Sequence, residues 1–260
     1  MNKRKEKCYG YIEKGDDEAE FHIKKGRFIS GYTIGILHLD VWYPLLPGNV
    51  VNASTYDFPV RMKLIPNSFQ PRVHSGDPTL VDEIVKAGRE LEVEGVRAIC
   101  GACGYLGHFQ PHVAKVLDVP VYLSSLIQAP MICAGLKPDQ KVGVLCADEP
   151  SLTPDILKAC GADPNRCVVK GLSDKPQMSH IVNSDQGSFD NSALKQEVKK
   201  GALEMVNEHP EVGAILLECS DLPPYAAEVQ KAVNLPVFDF ITLIRWVHSA
   251  VAKKPYHGFI

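Results

Sequence analysis

AICGACGYLGHFQPHVAKVLDVPV (98–121) can be laid over AILLECSDLPPYAAEVQKAVNLPV (214–237) without a gap, at a constant offset of 116 residues. Eight of the 24 positions are identical, Cys103 with Cys219 among them, and Phe109 meets Tyr225. Each copy reads as a buried strand, a turn, a helix and a second strand, so the pair is a duplication in register. Within the turn, the shared polar residue is the cysteine.

Outward from this repeat, short runs rich in Val and Ile alternate with longer segments of helical period. YTIGILHL (32–39), PVRMKLI (59–65), VRAIC (96–100), PVYL (120–123), KVGVLCA (141–147), RCVVKGL (166–172), VGAILLE (212–218) and PVFDF (236–240) read as strands. Helices are predicted over 79–95 and 106–117, from about 125, from Pro154, over 192–208 and 223–233, and to about 252. Strands that are apolar without alternation belong to sheets covered on both faces, which are mostly parallel. An α/β fold of two lobes follows. Residues 1–30 form a polar N-terminal arm, 31–127 with 241–260 the first lobe, and 128–240 the second.

The 260 residues are 45% hydrophobic and 23% charged, with a formal net charge of −3. No long basic run is present, so the broad positive field that nucleic acid or an anionic membrane would select is missing. The charged N-terminus lacks a signal-peptide core, and no segment runs about 18 apolar residues. A soluble cytoplasmic protein is expected. Eight cysteines in such a chain are reduced thiols rather than a disulfide scaffold. Cys100 and Cys103 form a C-x-x-C with no second pair to complete a metal site, so a dithiol or zinc role is disfavoured, and Cys8, Cys133, Cys146, Cys160 and Cys167 read as small buried or surface residues.

A cysteine between a parallel strand and a helix sits where open α/β folds bind ligands. Helix N–H groups there lower a thiol pKa and offer donors to a carboxylate. If the units lie in lobes related by a pseudo-two-fold axis, Cys103 and Cys219 face each other across the cleft between them. A thiolate on one side and a thiol on the other can remove and return a proton next to a carboxylate, without a cofactor.

TIGILHLD, the Pro-Gly-Asn turn at 47–49, CGACGYLGHFQ, LSSLIQAP, KVGVLCADEPSLT and LLECSDLPPYAAEVQ together resemble the aspartate/glutamate racemase superfamily, which includes hydantoin racemases, maleate isomerases and arylmalonate decarboxylases. The resemblance implies two flavodoxin-like, three-layer lobes, no pyridoxal phosphate, and one catalytic cysteine per lobe, mapping to Cys103 and Cys219. It implies an isomerase: a racemase or epimerase of an amino acid or related small carboxylate, with dicarboxylate isomerisation, decarboxylation or non-catalytic carboxylate binding as alternatives. The amino-acid racemases carry Asn-Thr after the first cysteine and Thr after the second; here Gly104 and Tyr105, then Ser220 and Asp221, take those places and are the expected substrate contacts. Asp221 raises the Cys219 pKa, which suits Cys219 as acid and Cys103 as base.

The loop after the first strand adds Asp40, Asn52 and Thr55 as candidate contacts, with Asn52 foremost. Glu149, Ser151, Ser124 and Ser125 read as helix caps. His108 and His112, at i and i+4, read as surface or packing residues, and Arg61, Arg72 and His74 as charges near the first lobe's loops that can help attract an anionic substrate. No metal and no cofactor is expected. The expected partner is a small carboxylate substrate, with neither nucleic acid nor membrane; a homodimer is compatible with this reading.

Overall fold

A computed structural model describes residues 6–7, 10–12, 16–23, 25–184 and 187–260. Cys8 and parts of the N-terminal arm lie outside these residues. Within the arm, Glu6–Lys7 pairs in parallel with Glu20–Phe21.

The first sheet is built from β1 (Ile34–His38), β2 (Val60–Leu64), β3 (Ala98–Gly101) and β4 (Val121–Tyr122), in the order β2-β1-β3-β4. The second uses β5 (Lys141–Cys146), β6 (Cys167–Gly171), β7 (Val212–Leu217) and β8 (Val237–Phe238), in the equivalent order β6-β5-β7-β8. Every pairing in both sheets is parallel. The duplication extends to register: Ile99 pairs with Val121, and Ile215 with Val237.

The helices are α1 (Gln70–His74), α2 (Val81–Glu94), α3 (Gln110–Val116), α4 (Ala129–Ala134), α5 (Pro154–Ala159), α6 (Pro176–Ser184), α7 (Asn191–Glu208), α8 (Ala226–Val233) and α9 (Phe240–Val251). In α2, Ile84, Ala87, Gly88 and Leu91 form one buried stripe. Asp82 and Glu83 complement the dipole of its first turn, and Gly95, at φ 92°, ends it in the left-handed conformation. Leu91 packs on the Gly35 face of β1. On the opposite face, Ile34, Ile36, Ala98 and Cys100 pack against Phe240, Leu243, Ile244 and Val247 of α9. The first sheet is therefore covered on both faces, as its uninterrupted apolar strands require. No helix among the described residues is long and apolar enough to cross a membrane.

The structure departs from the sequence reading in its short helices. Both cysteine turns enter their helices through 3-10 segments, Gly104–Phe109 and Pro223–Tyr225. Helices α1 and α6 were not predicted at all. Both carry too few apolar residues to show a clear period.

The chain leaves the first sheet near residue 123 and returns to it at α9. A buried amide ties the two crossings together: Gln128 Nε2 donates to the Asp239 carbonyl at 2.9 Å and its Oε1 accepts from the Thr242 hydroxyl at 2.8 Å. Asp239 and Thr242 in turn form the capping box of α9. Gln128→Ala leaves these buried groups unpaired and is expected to lower the unfolding free energy by about 2 kcal/mol. Asp239→Asn, which keeps the capping acceptor, is expected to cost under about 1 kcal/mol. Denaturant midpoints of the two variants check both values.

Candidate active site

The central strands β3 and β7 end in the same way. Ala102 N–H donates to the Leu37 carbonyl at 2.8 Å, and its repeat equivalent Glu218 N–H donates to the Leu145 carbonyl at 2.9 Å. The next residue in each case is the cysteine. Cys103 is extended at φ −165° and ψ 130°, and the 3-10 segment begins immediately after it. The first N–H groups of such a segment have no carbonyl partner inside it, so they face outward from the sheet end.

The two turns open onto one cavity of about 90 Å³. Cys103 and Tyr105 line it from the first lobe, and Cys219, Ser220 and Asp221 from the second. Tyr43 and Asn49, from the loop after β1, close one side. Gln70 and His74 of α1 and Ile181 and Val182 of α6 close another. Oriented so that its nitrogen faces the Ile181 and Val182 carbonyls, the Gln70 amide donates to both and joins α1 to α6 over the cavity. Among the described residues, no Lys or Arg lines this space.

Of the residues singled out from sequence, Cys103, Cys219, Tyr105, Ser220 and Asp221 come together here, and Gly104 and Asn52 do not. Gly104 is buried behind the wall against Glu218. Asn52 is a correction: its Oδ1 accepts from Ser54 N–H and its Nδ2 donates to the Leu45 carbonyl, so its polar atoms are consumed in shaping the loop. Thr55 does likewise, accepting from Gly48 N–H and donating to the Asn49 carbonyl. Cys100 packs into the apolar layer under α9, away from Cys103, which lines the cavity. Ser124 caps the following 3-10 turn through Leu126 N–H, whereas Ser125 donates across the lobes to the Leu217 and Glu218 carbonyls.

Asn49, three residues before Asn52, is the loop residue that reaches the site. Gly48 adopts φ +100° and its Cα faces Pro224 so closely that a Cβ would lie 2.9 Å from the proline Cα. Glycine satisfies both demands, and the loop of the first lobe can press on the turn of the second. Asn49 Nδ2 thereby donates to Asp221 Oδ1 at 2.5 Å, while Tyr43 OH donates to Oδ2 at 2.8 Å. The Cys219 thiol is a third donor, 3.6 Å from Oδ2. Burial pushes the Asp221 pKa up, and Tyr43, Cys219 and Asn49 oppose it. A carboxyl that accepts from three donors is bonded as a carboxylate.

The two thiols are unequal. Burial raises both, and the charges of Glu218 and Asp221 raise both further; Tyr105 and Leu106 backbone N–H groups pull Cys103 back toward its thiolate, whereas Cys219 has one such N–H, from Asp221. Behind the thiols, Glu218 is fully buried, neither of its oxygens has a hydrogen-bond partner, and burial lifts its pKa to about 8. On the first lobe's side, Tyr105 OH is held by Asp148, donating to its carbonyl and accepting from its N–H at 2.7 Å each. The His74 ring lies 4.0 Å from the Tyr105 ring, and its Nδ1 is 3.5 Å from Asp148 Oδ2. Burial lowers the His74 pKa, against the pull of Asp148. Among the described residues no group of His, Cys, Asp and Glu is arranged to hold a metal ion.

No family model matches the chain. It is 32% identical over 239 residues to dimethylsulfoniopropionate lyase 6 of Emiliania huxleyi (strain CCMP1516), covering 87% of this chain and 61% of that protein. It is 30% identical over 234 residues to a dimethylsulfoniopropionate lyase of Durusdinium sp. clade D, covering 87% of this chain and 77% of that one. The chain thus spans about three fifths of the length of the first of these relatives. In fold it is similar to unliganded arylmalonate decarboxylase (TM-score 0.55, 14% identity, covering 86% of this chain and 94% of that one). It is also similar to glutamate racemase RacE1 of Bacillus anthracis (TM-score 0.55, 14%, covering 86% and 85%) and allantoin racemase of Klebsiella pneumoniae (TM-score 0.57, 14%, covering 87% and 96%). On this likeness in sequence, the chain belongs to the dimethylsulfoniopropionate lyase family, and its fold is that of the decarboxylase and racemases just named.

Proposed function

We propose that the chain is a lyase acting on a small carboxylate with a cationic group at its far end, of which dimethylsulfoniopropionate is the representative. The observation that carries this reading is Asp221, a carboxylate fixed by Tyr43 and Asn49 in the wall of a cavity lined by no Lys or Arg among the described residues. A second substrate carboxylate beside Asp221 would meet unscreened repulsion, about 4 kcal/mol at 4 Å for an effective dielectric constant near 20. A sulfonium in the same place gains attraction of that order. The Tyr43 and Tyr105 rings add faces that attract a cation. The names of the sequence relatives support the same substrate.

In this reading the Cys103 thiolate takes the proton next to the carboxylate. The C–H electron pair forms the carbon–carbon double bond, the carbon–sulfur bond breaks, and dimethyl sulfide leaves with its pair, giving acrylate. Turn N–H groups stabilise the charge that builds on the substrate carboxylate. The departing sulfide is neutral and needs no acid, so one base suffices, which matches the inequality of the thiols. Cys219, bonded to Asp221, keeps that carboxylate oriented toward the sulfonium.

The racemase or epimerase reading keeps one specific support: both repeat-related thiols line the same cavity, as proton exchange from opposite faces requires. Two assays separate the readings, dimethyl sulfide release by gas chromatography and α-deuteration of amino acids and dicarboxylates in deuterium oxide. Release is expected, falling about 10³-fold or more in Cys103→Ser and less in Cys219→Ser. The reverse order would move the base to Cys219, and α-deuteration without release would establish the isomerase. For charge recognition, the uncharged thioether analogue of the substrate is expected to inhibit wild type at least about tenfold more weakly than a non-reacting sulfonium analogue, a gap of about 1.4 kcal/mol. Asp221→Asn is expected to erase that gap; an unchanged gap would place the cation elsewhere.

A further inference from the structure

The position two residues after the cysteine carries different chemistry in the two repeats: Asp221 in the second turn, Tyr105 in the first. Asp221, bonded by Tyr43 and Asn49, makes its side of the cavity anionic. On the first turn's side, the Tyr105 ring supports the imidazole of His74, with the ring centroids 4.0 Å apart. Asp221, Tyr105 and His74 all line the cavity. Its wall therefore has two unlike poles, a carboxylate at the turn of Cys219 and a protonatable ring packed on the turn of Cys103.

His74 is held from two other elements. Its Nδ1 lies 3.5 Å from Asp148 Oδ2, in the segment after β5, and the Ser151 hydroxyl donates to the same oxygen. The Asp148 backbone is bonded in both directions to Tyr105 OH, so the carboxylate and the ring beneath His74 are fixed together. The His108 ring donates to the His74 backbone carbonyl, and Gly76 lies against that ring: a Cβ there would be 2.9 Å from His108 Cγ. A carboxylate only accepts, so Nδ1 carries hydrogen toward Asp148 and Nε2 is the nitrogen left for a ligand. The other imidazole on the wall, His38, faces the Leu39 carbonyl with Nδ1 at 3.1 Å instead of a carboxylate.

The titratable groups that face His74 are Asp148 from the second lobe and Tyr105 and His108 from the 3-10 segment after Cys103. Burial lowers the His74 pKa below 6.5 and His108 adds to this, against Asp148, so in the ligand-free protein the ring is neutral just above neutral pH. A carboxylate arriving at Nε2 adds a second negative group to the ring and favours the imidazolium.

We propose that His74 holds the substrate carboxylate and takes up a proton as it does so, which fixes the direction in which a dipolar substrate lies: carboxylate at the first turn, cation at Asp221. The inference rests on reading the substrate as a carboxylate with a cationic far end. The proton comes from solvent and forms an N–H bond at Nε2, which donates to one carboxylate oxygen; the other oxygen is left for the turn N–H groups. The carbon next to the carboxylate then lies on the side of Cys103, so one orientation selects both the pole for the cation and the thiol that meets the C–H bond.

The probes are trimethylammoniopropionate, whose amine is a poorer leaving group than dimethyl sulfide, and its amide, which keeps the cation and loses the anion. Titration calorimetry at about pH 7.5, in two buffers of different ionisation enthalpy, counts the protons each takes up. Wild type is expected to take up close to one proton more with the carboxylate than with the amide, and to bind the carboxylate at least about tenfold more tightly. Its affinity for the carboxylate should fall as pH rises through this range, by at most about tenfold per pH unit, because the proton must be supplied by a more dilute pool. His74→Gln should erase both the proton difference and the affinity gap. Asp148→Asn, which leaves the backbone bonds to Tyr105 in place, should shrink both.

Equal proton counts for the two ligands in wild type would overturn the proposal without recourse to any variant. So would a difference that survives in His74→Gln, and its loss in His38→Gln alone would move the carboxylate to His38. If the difference is present while dimethylsulfoniopropionate releases no sulfide, the lyase reading alone would fall.

Discussion

Ile99 pairs with Val121 and Ile215 with Val237, and on this shared parallel register the site depends. Register sets where each central strand stops, and a parallel strand can stop only by sending its chain out at the carboxyl edge of the sheet. Ala102 and Glu218 each spend their N–H on the neighbouring strand. The residue that follows is the first one free of the sheet. Both cysteines occupy that position, each at the carboxyl edge of its own sheet, and the two edges open onto one cavity.

What then differs between the turns is charge. The cavity gathers two thiols and a carboxylate at Asp221, with the buried carboxyl of Glu218 behind them and no ammonium or guanidinium on its walls among the described residues. Such a set is unfavourable to bury unless the negative forms are solvated by the protein. Asp221 has Tyr43, Asn49 and the Cys219 thiol. Cys103 has the N–H groups of Tyr105 and Leu106. Glu218 has no bonded partner and resolves its burial by staying protonated. The remaining imbalance is one negative charge at Asp221, which a cationic substrate group is suited to cancel.

Much of the fold was legible because long apolar strands and the stripe of α2 repeat one pattern over many residues, and because the duplication exposed two of eight cysteines at once. The covers of the site were not. Phe69, just before α1, is exposed and Val73 is the single fully buried residue of that helix, while α6 reads PQMSHIVNS; neither offers enough period to distinguish a helix from a loop. The loop residue was also missed by one turn. Asn49 and Asn52 are the same residue type in one polar stretch, and only the close approach of Gly48 to Pro224 decides which of them meets Asp221. Glu218 did leave a signal: a lone charge closing the apolar run VGAILL, directly before the cysteine, where a solvated strand end would not need it.

Gly104 shows why a departure from a family pattern is better read as a pair of changes than as a deletion. Taken alone, glycine after the first cysteine is an amide side chain lost from the carboxylate cradle. In the folded chain its Cα carries no side chain because the space belongs to the Glu218 carboxyl, reaching across from the other lobe. The polar group has not vanished from the first turn; it arrives from the second and lies behind the thiol instead of in front of it. A group in front of the thiol can hold substrate, whereas a buried acid behind it cannot. By that single relocation a nearly symmetric scaffold acquires two thiols of unequal character, one bonded to a carboxylate that faces the ligand and one set against an acid that never does.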